Sequence, residues 1–546
     1  MKIDLAQFGG LAPKIEARRL ADHLATEAVN VGFESGALAP VNIGHIESFE
    51  FPFRSTTMRS IIRPGATGTR LGFTYPVTGE AFASLLAPSD AWARVYFSAE
   101  DGPRFSALGN YTEGGFTLDP VSYPLGIKAP MLQPVVGQAV YTASGGVSAD
   151  LVRVAYVTTF VDKYGHESAP SPPSVQVQIP TNLTFSAALT FPGEVPTGAN
   201  LDGAKRYIYR AAFDGSTSAW QWVGEVPIAM ASWSDTVPFG DEAEELVSTD
   251  WVPPPLGLKA MTPLAAGFVA GFHDHYLCYS EPYLPHAWPE KYRYPLKYPV
   301  VGLKNTQTGL LIATTGKPYW AFGADPASAV PVELDAYYPC LSAASMVDMG
   351  GYIIYASQDG LVAVSGQETR VVSGELVDRF TWLRDFNPVQ IVAFIYEGLY
   401  VFGFGKSWWA FEPGAGNLVK LDTAVLPVPP NQLRQAYYDT PRDTTVLVAT
   451  SGRCYDVVSK PGNRFQWRSR VFETAPTSFA CVQVLATAYP VTLRVTADNQ
   501  THEYQVVGEG VQRLVGGFRA SRWALELEGQ GRVTRAVIAL SPSDVR

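Results

Sequence analysis

This sequence predicts an all-β chain: a six-bladed β-propeller with an inserted fibronectin- or immunoglobulin-like β-sandwich and a C-terminal β-sandwich. Three observations predict it. Most apolar runs are four to eight residues long, rich in Val, Ile, Tyr, Phe and Trp, and bounded by Gly, Pro, Asp or Ser, which is the pattern of strands and turns. The 49 glycines and 42 prolines, about one residue in six of 546, follow no Gly-X-Y period and disfavour long helices. A degenerate strand–turn–strand unit recurs between about 263 and 460, in Gly309–Phe322, Gly351–Val364, Gly398–Phe411 and Thr445–Val458. Its turn glycines Gly316, Gly360, Gly405 and Gly452 are 44, 45 and 47 residues apart, the period of one propeller blade.

Along the chain, residues 1–45 read as an N-terminal arm with a short helix. Leu20, Leu24, Ala28 and Val31 recur at three- and four-residue intervals within Ala17–Val31, between Gly9-Gly10 and Gly36. Residues 46–130 hold the first part of the propeller, with Arg94–Phe105 as its hairpin. Residues 131–250 interrupt it. There Val152–Val161 alternates, turns at Asp162–Gly165 and runs into the proline-rich Ser168–Ser174, and Arg206–Arg210, Trp220–Val223 and Ser232–Asp235 follow. Strands so spaced, with edge prolines, predict a small sandwich. The Pro-rich Val252–Leu256 leads back to the remaining blades, 251–460, opening on Phe268–Tyr279. Residues 461–546, with Val491–Val495, His502–Val506 and Arg522–Leu527, are expected to form a separate sandwich.

The formal charge of −10 argues against a groove that grips nucleic acid, which needs clustered Lys and Arg, although it does not exclude DNA passing by. Cys278, Cys340, Cys454 and Cys481 are far apart and signal neither a disulfide framework nor a zinc site, so buried reduced thiols are expected. The start, Met1-Lys2-Ile3-Asp4, lacks an apolar signal region, and no run of eighteen apolar residues occurs. A protein made in the cytoplasm and not inserted in a membrane is expected.

Chemistry-bearing patterns are sparse. Gly405-Lys406-Ser407 resembles the end of a P-loop, but position 400 is Tyr where that loop needs Gly, and Trp408-Trp409 continues as strand; a blade turn is the better reading. His273, His275, Glu281 and His286 fall within fourteen residues, and His-x-His would point both rings to one face of a strand, as some metal sites require. The alternative is a blade end or interface. No Gly-x-Ser-x-Gly elbow occurs, and the cysteines sit in apolar strand sequence that disfavours a thiolate. Asp241-Glu242 and Glu244-Glu245 read as a solvated acidic loop rather than a converging acid/base pair. The 12 tryptophans and 27 tyrosines fit carbohydrate stacking or blade interfaces equally. No catalytic, cofactor-binding or metal-binding residue, and no cofactor, is expected.

Phe8–Pro13, followed by Leu20, Ala28–Asn30 and Ser35–Pro40, resembles the opening of a family of bacteriophage virion proteins. Thr158–Ser171, Tyr279–Pro289, Val347–Gly350 with Tyr355–Leu361, and Gly517–Trp523 also resemble it. The family is that of the tail nozzle, or tubular tail protein, of short-tailed phages. The resemblance implies a homohexameric ring in the virion tail, stacked below the portal and its adaptor and contacting other tail proteins or fibres. Its channel would pass viral DNA without binding it specifically, and an acidic wall would let DNA slide. The N-terminal arm would then reach a neighbour or the adaptor. A tail sheath or appendage-anchoring protein, and a host-surface polysaccharide-binding propeller or depolymerase, are the competing expectations.

Overall fold

The computed structural model describes residues 1–47, 59–63, 68–83, 90–142, 147–196, 198, 200–213, 219–423, 425–439, 442–515 and 519–545. The fold is all-β, built of many small antiparallel sheets with the propeller blade as the repeating element. One unit comprises Met1–Ile61, Lys304–Trp320 and Val332–Arg546, and the other Ile62–Leu303 with Ala321–Pro331.

In the second unit, Thr78–Ala83, Val95–Ala99, Gly102–Ser106 and Tyr123–Pro124 form one four-stranded meander, and Lys259–Pro263, Val269–His273, Tyr276–Tyr279 and Arg293–Pro295 form another. Between them in sequence lies the insert. One of its sheets runs Val177–Pro180, Leu151–Val161, Lys205–Ala212, Gln221–Pro227; the other centres on Phe185–Thr190. The alternating faces of these strands bury Val154, Tyr156, Ile179, Ala187, Leu189 and Ile208 in one core, as a two-layer sandwich requires.

The proline-rich Ser168–Ser174 solves a local problem in that insert. A segment with three prolines cannot donate a full ladder of N–H groups to the neighbouring strand. Ser168, Ser171 and Ser174 hold the segment to that strand instead: their hydroxyls accept from the amides of Phe160, Thr158 and Tyr156 at 2.9, 3.0 and 3.0 Å. Their own amides donate back to the carbonyls of the same three residues.

In the first unit, the Gly309 hairpin pairs Gly309–Thr314 with Tyr319–Ala321. Complete meanders follow over Val347–Val371 and Val392–Leu421. The last, Leu433–Asp439, Thr444–Ala449 and Cys454–Ser459, gains its fourth strand from the chain's beginning, Ile43–Glu47, which pairs with Cys454–Ser459 over five residues. All six hairpins expected from sequence are formed. Gly405 and Gly452 take φ of +55° and +80°, where a side chain would be strained.

The N-terminal region requires a correction. The helix expected over Ala17–Val31 is absent; Ala25–Val29 and Val31–Glu34 are strands. Asn30 separates them with a left-handed φ of +52°, which no helix accommodates. Its amide oxygen accepts from Asp422 at 3.0 Å. The helix-like spacing arises because the apolar residues serve two cores: Leu20 packs with Trp382 and Phe386, whereas Ala28 and Val31 join Trp408 and Trp467.

Nor is this region a detached arm. Lys2–Leu5 pairs with Val533–Ala539, and Ala25–Val29 joins Phe465–Ser469 to Asn417–Leu421. The C-terminal sandwich is therefore completed by residues before position 41, and one of its sheets is continuous with a blade. The α-helix Arg379–Asp385, which the sequence reading missed, starts at Asp378, whose carboxylate accepts from the amides of Phe380 and Thr381.

Candidate functional site

The residues singled out as metal candidates are placed apart. His273 ends one strand and His275 lies in the following turn, where Asp274 has φ +53°, so the shared strand face on which His-x-His depends is lost. His273 approaches Asp274 at 3.4 Å, the His275 ring packs on Tyr276, and Glu281 pairs with Lys291 at 3.6 Å. His286 is buried. Among the described residues, no group of three or more His, Cys, Asp or Glu side chains is arranged to hold a metal ion.

Gly405-Lys406-Ser407 forms the turn between Leu399–Phe404 and Ser407–Glu412. The four cysteines are buried and no disulfide joins them; burial pushes the thiols of Cys278 and Cys340 up to about 11 and about 12. The acidic loop requires another correction. Asp241, Glu244 and Glu245 are exposed, but Glu242 turns inward and pairs with Arg210.

Arg210 is nearly inaccessible. It pairs with Asp235 at 2.7 Å and donates to the Val237 and Pro238 carbonyls, and the Tyr156 hydroxyl donates to the same Asp235 at 2.8 Å. This lock fastens the loop at 235–242 to the insert's sheet, and its geometry is that of a structural ion pair whose groups are consumed internally.

An open cleft of about 670 Å³ lies in the first meander of the second unit, lined by residues including Tyr75, Glu100, Asp101, Arg104, Asp119 and Ser122. Its fixed polar groups are already engaged. Arg104 donates to Asp101 at 2.7 Å and to the Ser122 hydroxyl and carbonyl at 3.0 and 2.9 Å. Asp119 accepts from the amide and hydroxyl of Thr74 at 2.8 and 2.9 Å.

A buried cluster of titratable groups joins the insert to that first meander. Asp90 holds Arg94 at 2.9 Å. An Nη of Arg94 lies 2.9 Å from Nε2 of His166, whose Nδ1 lies 3.0 Å from Asp162. A guanidinium only donates, so Nε2 accepts and the ring proton sits on Nδ1, directed at Asp162. Asp162 also accepts from the amides of Tyr164 and His166, which fixes the turn. Against the His166 ring, at 4.5 Å between centroids, lies His286, with the edge of Trp251 against it at 5.6 Å. Burial, then His166 and Arg94, hold the His286 imidazole well below the ordinary histidine range. Its Nε2 is buried without a hydrogen-bond partner. Phe105, Tyr123, Tyr164 and Trp92 surround the turn with ring contacts.

Sequence reasoning missed this cluster because its members are about 70 and 120 positions apart. The sequence signal was Asp162-Lys-Tyr-Gly-His166, in which an Asp four residues before a His at a turn can orient the ring.

No family model and no curated protein matches the chain. Among solved structures, the Neurospora crassa Pan2 WD40 domain aligns with a TM-score of 0.26 at 8% identity, over 52% of this chain and 86% of that one. BBS1N, in its complex with ARL6DN, aligns with a TM-score of 0.25 at 10% identity, over 51% and 88%. At such scores the likeness decides nothing about function, and the propeller-blade description stands on the strand order itself.

Proposed function

We propose that this chain is a non-enzymatic structural component of a bacteriophage tail, a ring-forming nozzle or tail-tube protein whose channel passes the genome at ejection. The observation that carries the proposal is where the segments resembling that virion family fall: on scaffold joints. In Phe8–Pro13, Phe8 packs edge-on against Trp467 at 5.0 Å, and the Trp467 indole donates to the Gly9 carbonyl at 3.0 Å. A Cβ on Gly10 would lie 2.6 Å from the amide nitrogen of Leu418 and 2.7 Å from its oxygen, so the motif's glycine serves close backbone packing. Thr158–Ser171 holds two of the serines that replace a strand ladder. In Tyr279–Pro289, the Tyr279 hydroxyl donates to the Ala329 carbonyl and the Trp288 indole to that of Pro285. In Val347–Gly350, Asp348 caps the turn at Gly350. Of Gly517–Trp523, residues 517 and 518 lie outside the described residues; Trp523 is fully buried.

A signature made of packing positions suits a protein selected for its shape. In this reading six copies form the ring, with the portal adaptor, other tail proteins or fibres as partners, and the net charge of −10 lets DNA pass without being held. Antibody labelling of purified phage particles in the electron microscope tests it. Label confined to the tail supports the proposal, and particles that lack the protein or carry it elsewhere refute it.

A further inference from the structure

We propose that the contact between the insert and the first meander is an acid-responsive clamp, with His286 as its sensor. The clamp closes only around a neutral His286 ring. Nε2 is buried with no hydrogen-bond partner. The meander contributes Arg94, already tied to Asp90, and the insert contributes His166, whose Nε2 faces Arg94 and whose Nδ1 faces Asp162. Around the turn, Tyr123 and Tyr164 contribute phenols, Lys163 pairs with Asp202 at 3.2 Å, and Glu167 accepts from the Thr159 and Tyr209 hydroxyls at 2.7 and 2.9 Å. The carboxylates of the adjoining segments, Asp250 and Glu281, are taken by Lys291 at 3.0 and 3.6 Å. A proton on His286 would therefore place a buried cation against the His166 ring and beside the Arg94 guanidinium.

Opening the clamp gives the imidazole to water, where it titrates at about 6.5. The closed state binds this proton far more weakly than the open one. Stability of the closed state from this group is thus complete above about pH 6.5 and falls as pH drops towards the depressed closed-state value. Within that window each pH unit multiplies the open fraction about tenfold, because one proton is taken up on opening. What acid releases is local: the turn Asp162–Glu167 from Arg94, and the Pro285–Trp288 segment from the turn. The rest of the insert is held by its own core and by the Arg210 lock.

Hydrogen exchange of the full-length protein between pH 7 and 5, corrected for intrinsic rates, tests the clamp. Peptides spanning 160–168 and 284–290 should lose protection about tenfold per unit below about pH 6.5, while the 444–459 hairpin keeps its protection. His286→Phe, which keeps a ring and cannot titrate, should abolish the slope, and so should His286→Gln. If both variants fail to fold, the wild-type profile still decides. A pH-independent clamp, equal loss in the 444–459 hairpin, or an unchanged slope in either folded variant would overturn the proposal.

Discussion

Arg210 shows how much depends on one side chain in the insert. Its buried guanidinium lies against two carboxylates, one of which also accepts from the Tyr156 hydroxyl, and two carbonyls. Arg210→Met would leave Asp235, which has no exposed surface, as an uncompensated buried charge. A loss of about 3–5 kcal/mol is expected, read by denaturant unfolding of the full chain; a loss below about 1 kcal/mol would mean that Asp235 finds water or another cation. Ser171 makes the complementary case for neutral groups. Ser171→Ala leaves the Thr158 amide without the hydroxyl it donates to, at a buried position, and should cost about 1–3 kcal/mol. A control at the exposed Thr181, whose hydroxyl only supplements a backbone bond to the Asp150 carbonyl, should cost much less.

The strand hairpins were legible in the sequence because two local signals agree in each, a short run of apolar, strand-favouring residues and a turn residue. Ile353–Ser357 and Gly360–Ser365 illustrate this, both bounded by the Gln358-Asp359-Gly360 turn. Residues 17–31 misled because an apolar spacing of three and four is also produced by a chain that dips into two different cores. Only Asn30, a residue that tolerates left-handed backbone, hinted at the break. The helix Arg379–Asp385 went unseen because its seven residues give too short a period, although its Asp378 cap and the buried pair Trp382 and Phe386 were in view. The site-level signals fared worse. His286 was visible as a histidine in an aromatic run, but its partners Arg94 and His166 come from segments that only the fold unites.

The elements also settle what the N-terminus does for its own chain. Removing residues 1–47 deletes the strand beside Val533–Ala539, the one beside Phe465–Ser469 and the fourth strand of the Leu433–Ser459 blade. It also exposes Trp467, which loses Phe8 and the Gly9 carbonyl. The truncated chain should therefore lose cooperative thermal unfolding of the first unit and become protease-sensitive there. A truncated protein with an undiminished melting transition would show that these strands are dispensable.

At the scale of the molecule, the sequence and fold describe a scaffold. Six hairpins, an inserted sandwich and a C-terminal sandwich bury large aromatic residues such as Trp288, Trp408, Trp467 and Trp523, and the segments on which the proposed function rests act as joints. Such a chain would act through assembly, and a closed ring gives each copy two unlike faces. The most direct test is the solution mass and negative-stain image of the purified full-length protein, alone and mixed with tail components. The account predicts a ring of about six times the 59.2 kDa chain with an axial hole, formed alone or on the adaptor. A stable monomer or trimer that ignores the tail components and binds host polysaccharide would contradict it.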